Sequence, residues 1–355
     1  MGETMNSDVP TSSESGDAFL DARASYVLPE GMLPSLIGEL GMEYKVYAPK
    51  DGRFVPVDDM GDIDVTGRRA LFGPKKLFFP ERQELFSFDD EGNIRDSLKE
   101  GRIAVFGMRA CDIRGLMMLD RYFSAPEEPF YMAIRERAFI VGLTCTEPAE
   151  SCFCTQFGGI SNEGLDYDIW LTPLEDGYLA EVGSGRGRAL LNNLGLERAD
   201  DVHFEKKEAL IKEVEGRMGW ERIPERRIFD ALKEGVEHHV WKELAERCFA
   251  CGKCNMICPT CHCYDVRDEV SLNGSGERIR VWDACHLFRY GLVAGGHNFR
   301  GERLARVQYR IYDKFYYPME RYGVFACTGC GRCLEVCNAD IDLREVIRTL
   351  TGGMG

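Results

Sequence analysis

CFACGKCNMICP (248–259) contains four cysteines in the spacing C-x2-C-x2-C-x3-C, and Pro259 follows the fourth cysteine directly. CTGCGRCLEVC (327–337) repeats this spacing, with Asn338 in place of the proline. An unbroken run of three cysteines plus a fourth is typical of thiolates that bind [4Fe-4S] clusters. Structural zinc sites also use C-x2-C pairs, but they combine two separate pairs. The repeated run therefore predicts two [4Fe-4S] clusters.

The ligands of the two clusters are expected to come from both runs. In two-cluster ferredoxins the fourth cysteine of each run binds the cluster of the other run. One predicted ligand set is Cys248, Cys251, Cys254 and Cys337. The other predicted set is Cys327, Cys330, Cys333 and Cys258. Small residues such as Gly252, Gly329 and Gly331 allow the tight loops that this ligation needs.

A long segment separates the two runs, because 68 residues lie between Cys258 and Cys327. A minimal ferredoxin needs far fewer, so we expect an insertion. Three more cysteines lie in or beside it, namely Cys261, Cys263 and Cys285. They are either accessory metal ligands, completed by His262 or His286, or buried thiols packed near a cluster.

The N-terminal part of the chain has the pattern of an α/β domain. Apolar spacing predicts helices at 28–41 and 113–123 and strands at 44–49, 75–80, 102–108 and 137–143. The strand, helix and strand succession predicts a mixed or parallel sheet. The predicted fold class is α+β, with a flexible leader (1–19), an α/β domain (20–205), a connector of two helices (206–247) and a dicluster ferredoxin-like domain with an insertion (248–355).

A second group of cysteines lies in the predicted α/β domain. Cys111 and Cys145 each follow one of the two buried strands, at the edge where ligand sites of open sheets gather. Together with Cys152 and Cys154 they provide four thiols, enough for a third cluster, and Asp112 could replace one of them. The spacing C-x6-C-x-C is no established cluster motif, so buried core cysteines remain the alternative.

Composition excludes several classes of function. The formal net charge of −15 and the pI near 5.0 argue against nucleic acid or an anionic membrane as partner. No stretch approaches the ~20 apolar residues of a membrane-spanning helix. The polar first 17 residues lack the features of a secretory signal, and 15 cysteines fit a reducing cytoplasm. The glycine-rich segment 182–188 departs from the dinucleotide-binding fingerprint, so a plain turn is the expected structure.

Several longer segments carry a family resemblance: GPKKLFFP (73–80), GMRACDIRGLMMLDRYF (107–123), RERAFIVGLTCTEPAESCFC (135–154), CFACGKCNMICPTCHCYDV (248–266), RVWDAC (280–285) and RYGVFACTGCGRCLEVC (321–337). In order and character they resemble one iron–sulfur subunit that two kinds of complex share. It is the beta subunit of cytoplasmic sulfhydrogenases, and anaerobic sulfite reductases contain its counterpart.

The resemblance implies an electron-transfer subunit without catalysis of its own. It would stand between a flavin subunit that handles NAD(P)H and a terminal redox subunit, either a hydrogenase, a sulfite reductase or a heterodisulfide-reductase-like protein. The alternative is a redox enzyme that binds its own flavin or substrate in the N-terminal domain. Flavin content distinguishes the two hypotheses.

Overall fold

The computed structural model describes residues 24–57, 63–98 and 101–352, so the predicted leader at 1–19 lies outside the described residues. The strands are β1 (Ser25–Pro29), β2 (Lys45–Lys50), β3 (Arg53–Pro56), β4 (Arg82–Phe88), β5 (Ile94–Asp96), β6 (Ile103–Met108), β7 (Phe139–Leu143), β8 (Ile169–Leu174), β9 (Gly177–Val182), β10 (Glu197–Arg198), β11 (Tyr264–Val270) and β12 (Gly276–Trp282).

The helices in the N-terminal half are α1 (Leu33–Glu43), α2 (Lys75–Phe78), α3 (Ala110–Phe123), α4 (Pro129–Arg137), α5 (Gly185–Asn193) and α6 (Asp201–Gly216). Those that follow are α7 (Glu225–Glu234), α8 (Val240–Arg247), α9 (Lys253–Met256), α10 (Arg303–Phe315), α11 (Tyr317–Tyr322), α12 (Arg332–Glu335) and α13 (Leu343–Leu350). Among the described residues, no helix is both long and apolar enough to cross a bilayer.

An eight-stranded mixed sheet organises the N-terminal half, in the order β10-β1-β9-β8-β7-β6-β2-β3. Strands β2, β6, β7 and β8 are parallel neighbours, and the other pairings are antiparallel. Helices α1 and α5 cover one face, while α3 and α4 cover the other. Strands β6 and β7 are almost completely buried because both faces are covered. The predictions of these two strands, and of the helix between them, are confirmed.

A second sheet joins distant parts of the chain, in the order β11-β12-β4-β5. Its hairpin β11–β12 belongs to the insertion between the cysteine runs, and β4 and β5 belong to the N-terminal half. The prediction of a strand at 75–80 is wrong, because Lys75–Phe78 forms helix α2. A helical turn directs both Lys75 and Phe78 inward, and the Lys75 amine lies 3.9 Å from the ring centroid of Trp282 on β12.

Three helices, α6, α7 and α8, follow the first sheet, where the sequence predicted two. Pro224 interrupts them as expected. The additional break is at Gly235, which follows α7 and lies against the end of that helix: a Cβ there would be 2.6 Å from the Ala231 carbonyl oxygen. The apolar faces of α7, α8, α10 and α13 form one core around Trp241 and Phe315.

Candidate metal centres

The two cysteine runs fold into the same local structure. Ala250 and Gly329 occupy the third position of each run, with φ of 52° and 64°. Gly252 and Gly331 occupy the fifth position, with φ of 76° and 71°. The short helices α9 and α12 begin directly after these glycines. Glycine adopts such left-handed backbone without strain, so the residue types fit both tight loops.

Backbone N–H groups point at cysteine sulfur in both runs. The donors are Ala250 N to Cys248 Sγ at 3.3 Å, Gly329 N to Cys327 Sγ at 3.4 Å and Ile341 N to Cys337 Sγ at 3.4 Å. Hydrogen bonds of this kind stabilise thiolate charge and tune the potential of an iron–sulfur cluster. The first two of them occupy equivalent positions in the two runs.

One cavity collects cysteines from both runs. Its thiols belong to Cys248, Cys251, Cys254, Cys333 and Cys337. Apolar side chains, including Leu244, Val307 and Ile311, form much of the remaining wall. Burial raises the pKa of Cys248, the Ala250 N–H lowers it, and the neighbouring Cys337 raises it. The structure thus brings Cys337 next to the first three cysteines of the other run.

The second predicted ligand set also gathers around one point. Burial raises the pKa of Cys333 well above its usual value, and the Arg310 guanidinium lowers it. The next contributions come from the thiols of Cys330, Cys258 and Cys327, which all raise it. Cys258 therefore lies close to all three cysteines that lead the distant run, although it belongs to the first run in sequence.

Buried positive charge surrounds these thiols. Arg310 and Lys314 lie one turn apart on α10 and are almost fully buried. Within the described part of the chain, Nε and Nη1 of Arg310 have no hydrogen-bond partner. The guanidinium acts on Cys254 in one set and on Cys333 in the other. Buried charge requires compensation, so this unpartnered cation fits an anionic iron–sulfur group between the two runs.

The cysteines do not form a site for a single ion. In the regions that the structure describes, no group of three or more His, Cys, Asp or Glu side chains is close enough to hold one metal ion. A four-iron cluster binds each thiolate through a different iron atom, so its ligands lie farther apart than those of one ion. The arrangement disfavours structural zinc and fits clusters.

The structure places Cys111 and Cys145 at the same edge of the large sheet. Cys111 lies in the first turn of α3 after β6, and Cys145 follows β7, the parallel neighbour of β6. Cys152 and Cys154 lie in the next loop and share a buried cluster with Cys145. Burial raises the pKa of Cys154, and the thiols of Cys152 and Cys145 raise it further. All four cysteines are buried and free of disulfides.

This N-terminal group touches the second cysteine run directly. The Phe153 N–H donates to the Gly329 carbonyl oxygen at 2.8 Å. The Cys152 sulfur lies 3.7 Å from the Cys330 carbonyl oxygen. A Cβ on Gly329 would lie 2.5 Å from the Phe153 carbonyl oxygen, so only glycine permits this approach.

Asp112 has a different role from the one considered for it. Its carboxylate forms a fully buried ion pair with Arg332, with 2.7 Å between Oδ1 and Nη1. A buried guanidinium of this kind needs its carboxylate partner. We therefore no longer expect Asp112 to replace a thiolate in the N-terminal group.

Cys261, Cys263 and Cys285 are buried beside the two C-terminal ligand sets. Asn255 Nδ2 donates to Cys285 Sγ at 3.0 Å, and its Oδ1 lies 2.8 Å from His286 Nδ1. The His262 ring stacks on Tyr122 with centroids 3.6 Å apart. The two histidines therefore have packing partners, which favours the interpretation of these cysteines as buried thiols.

Sequence reasoning missed Asn255, Arg310 and Lys314 as parts of this region. Two basic residues four positions apart inside the aromatic segment YRIYDKF (309–315) were an available signal, since a helix places them on one buried face. The glycine-rich segment 182–188 is a plain turn and helix start. Ser184 Oγ accepts from Gly187 N at 3.1 Å, and Arg186 pairs internally with Asp168.

Comparison with known proteins agrees with this geometry. A family model described as a 4Fe-4S dicluster domain matches residues 247–341. The chain is 34% identical over 329 residues to the sulfhydrogenase 2 subunit beta of Pyrococcus furiosus, a match that covers 90% of this chain and 96% of that subunit. No solved structure matches. The chain therefore belongs to the family of iron–sulfur beta subunits of sulfhydrogenases.

Proposed function

We propose that the chain is an electron-transfer subunit of a multi-subunit oxidoreductase. It passes electrons through [4Fe-4S] clusters and thereby connects a flavin- and NAD(P)H-binding subunit with a terminal redox subunit. The terminal component is a hydrogenase, a sulfite reductase or a heterodisulfide-reductase-like protein. The observation that carries the proposal is the cavity in which Cys337 lies beside Cys248, Cys251 and Cys254.

The proposed ligands are exchanged between the two runs. Cys248, Cys251, Cys254 and Cys337 hold one cluster, and Cys327, Cys330, Cys333 and Cys258 hold the other. The proximity of Cys337 to Cys248, and of Cys258 to Cys333, supports this assignment. Exchange of the fourth ligand keeps the two sites adjacent, which favours rapid electron transfer between them. A bound cluster supplies one-electron transfer, with no bond made or broken.

The other residues of the region provide charge and shielding. Arg310 faces both ligand sets and offsets their negative charge. Lys314 forms a buried ion pair with Asp313 at 3.0 Å and acts on Cys261 and Cys258. The apolar wall of the cavity excludes water from the first site. These features raise the reduction potential relative to a site that lacks buried cations.

Electron exchange with a partner protein is proposed at the face that carries Cys251. This cysteine is exposed, and the neighbouring Phe249 has 66% of its surface accessible. Cys251 lies on a groove that also contains Lys76 and Lys253. Two lysines beside an exposed cluster ligand favour a partner with acidic groups around its own redox centre.

The domain arrangement is part of the same proposal. An α/β domain at 20–205 docks a partner, a helical connector spans 206–247, and the ferredoxin-like dicluster domain occupies 248–355. The sheet formed by β4, β5, β11 and β12 supports close association of the first and last units. A cytoplasmic location accords with free cysteines and with the absence of a spanning helix in the described residues.

Anaerobic purification from native cells, with an affinity tag on this chain, tests the function. We expect a flavoprotein to co-purify together with a terminal redox subunit. The isolated chain should contain iron and sulfide but no flavin. Recovery as a lone monomer would contradict the proposal, and stoichiometric flavin in the isolated chain would favour a redox enzyme instead.

A further inference from the structure

We infer that Cys111, Cys145, Cys152 and Cys154 bind a third [4Fe-4S] cluster, adjacent to the site of the second cysteine run. This deepens the proposed relay and rests on it. Four buried thiols converge there from three segments: the start of α3, the end of β7 and the loop at 152–154. Four thiolates are the ligand set that such clusters use.

Uncompensated positive charge around these thiols is the second observation. Arg109 is almost fully buried and acts electrostatically on Cys145 and Cys111. Arg114 acts in the same way on Cys154 and Cys111. Among the described residues neither guanidinium forms an ion pair. A bound cluster with four thiolates is anionic and would provide the missing charge.

The hydrogen bonds of the two arginines hold the loops in place without neutralising the charge. Arg109 Nη1 donates to the Thr144 carbonyl oxygen at 2.8 Å, next to Cys145. Arg114 Nη2 donates to the Gly158 carbonyl oxygen at 2.7 Å, in the loop that follows Cys154. Both cations therefore fix the backbone that carries the thiols. Four cysteines acting as small apolar residues would not need two buried cations.

The position of the group gives it a role in the relay. Phe153 lies between two of the proposed ligands, and its N–H donates to Gly329 in the second cysteine run. Cys152 Sγ contacts the Cys330 carbonyl oxygen at 3.7 Å. One electron at a time would pass between the two sites, with no bond made or broken. The N-terminal domain then becomes the continuation of the electron path rather than a docking module alone.

Iron and acid-labile sulfide in the full chain, purified anaerobically, test the inference. We expect about twelve irons and about twelve sulfides per chain, four of each for each of three clusters. After full reduction, electron paramagnetic resonance should integrate to about three spins per chain. A wild-type chain with about eight irons would overturn the third site and leave the two-cluster relay intact.

Replacement of two thiols locates the additional iron. The double variant Cys152→Ala/Cys154→Ala should retain about eight irons. Val214→Ala is the matched control, because Val214 packs in the same buried cluster and its truncation removes no thiol. This control should retain about twelve. A double variant with the full wild-type iron would overturn the inference; if it loses all iron through misfolding, the wild-type count decides.

Discussion

Arg332 and Asp112 form an ion pair in which both side chains are completely buried, with 2.7 Å between Nη1 and Oδ1. Arg332 belongs to the second cysteine run, and Asp112 directly follows Cys111 in the N-terminal domain. The guanidinium also donates through Nε and Nη2 to the Ala70 carbonyl oxygen. This pair fastens a cluster-binding loop to the sheet edge that carries the N-terminal thiols.

Removal of the Asp112 charge should destabilise the chain strongly. Asp112→Asn leaves the Arg332 guanidinium buried without its counter-charge, which costs about 3–5 kcal/mol. Anaerobic denaturant unfolding measures the loss. As control, Asp230→Asn breaks the ion pair with Arg226, whose side chain is 78% exposed, and should cost less than about 1 kcal/mol. Equal small losses in both variants would contradict a structural role for the buried pair.

Gly331 should tolerate no side chain. A Cβ there would lie 2.3 Å from the Ser151 carbonyl oxygen, and its φ is 71°. Gly323 has a similar φ of 70° but nothing within 4 Å of its Cβ position, so it isolates the backbone strain. We expect Gly331→Ala to lose about 1–3 kcal/mol more than Gly323→Ala, since only the first forces a clash. Anaerobic melting temperatures compare the two, and equal losses would argue against the close packing.

Arg310 should raise the potentials of the C-terminal clusters. Its positive charge favours the reduced, more negative form of each cluster. Arg310→Met should lower the reduction potentials by on the order of 50–100 mV. Arg310→Lys keeps the charge and should shift them less. Redox titration followed by electron paramagnetic resonance measures both; an unchanged or higher potential in Arg310→Met would rule out this role.

His262 should make stability depend on pH. Burial lowers its pKa to about 4, with Asp313 acting against this and Lys314 and Lys75 adding to it. The unfolded chain, with an ordinary pKa near ~6.5, binds the proton first as the pH falls. Stability is therefore fully present above that value and falls by about 1.4 kcal/mol per pH unit down to the folded pKa.

The variant His262→Gln removes this titration. Its melting temperature should fall less than that of the wild type between pH 7.5 and pH 5.5. Both proteins contain the same clusters, so acid damage to iron–sulfur groups affects them equally. Parallel losses in the two proteins would show that His262 is not the group responsible.

The cysteine runs and the central strands were predictable because their signals are local. Two copies of one spacing marked the ligand loops, and continuous apolar runs marked β6 and β7. Parallel pairing of those strands then brings Cys111 and Cys145 to one edge, which the order of elements already suggested. Information of this kind lies within a few residues of each position.

The features that were missed depend on distant partners. Strand β4 pairs with β12, so Arg82 lies opposite Val281 across almost 200 residues of sequence. The intermediate burial of β4 gives no clear apolar pattern. Arg310 likewise shows its role only when thiols from both runs surround it. Long-range contacts of this kind leave no periodic trace near the residue itself.

The central claim is that the two runs share their ligands, and the spectrum of Cys258→Ala tests it most directly. Cys248→Ala and Cys327→Ala provide reference spectra, each with one cluster site altered. The reduced electron paramagnetic resonance spectrum of Cys258→Ala should match that of Cys327→Ala, because both remove a ligand of the distant run's cluster. A spectrum that matches Cys248→Ala would show that Cys258 binds the local cluster and would contradict the exchange.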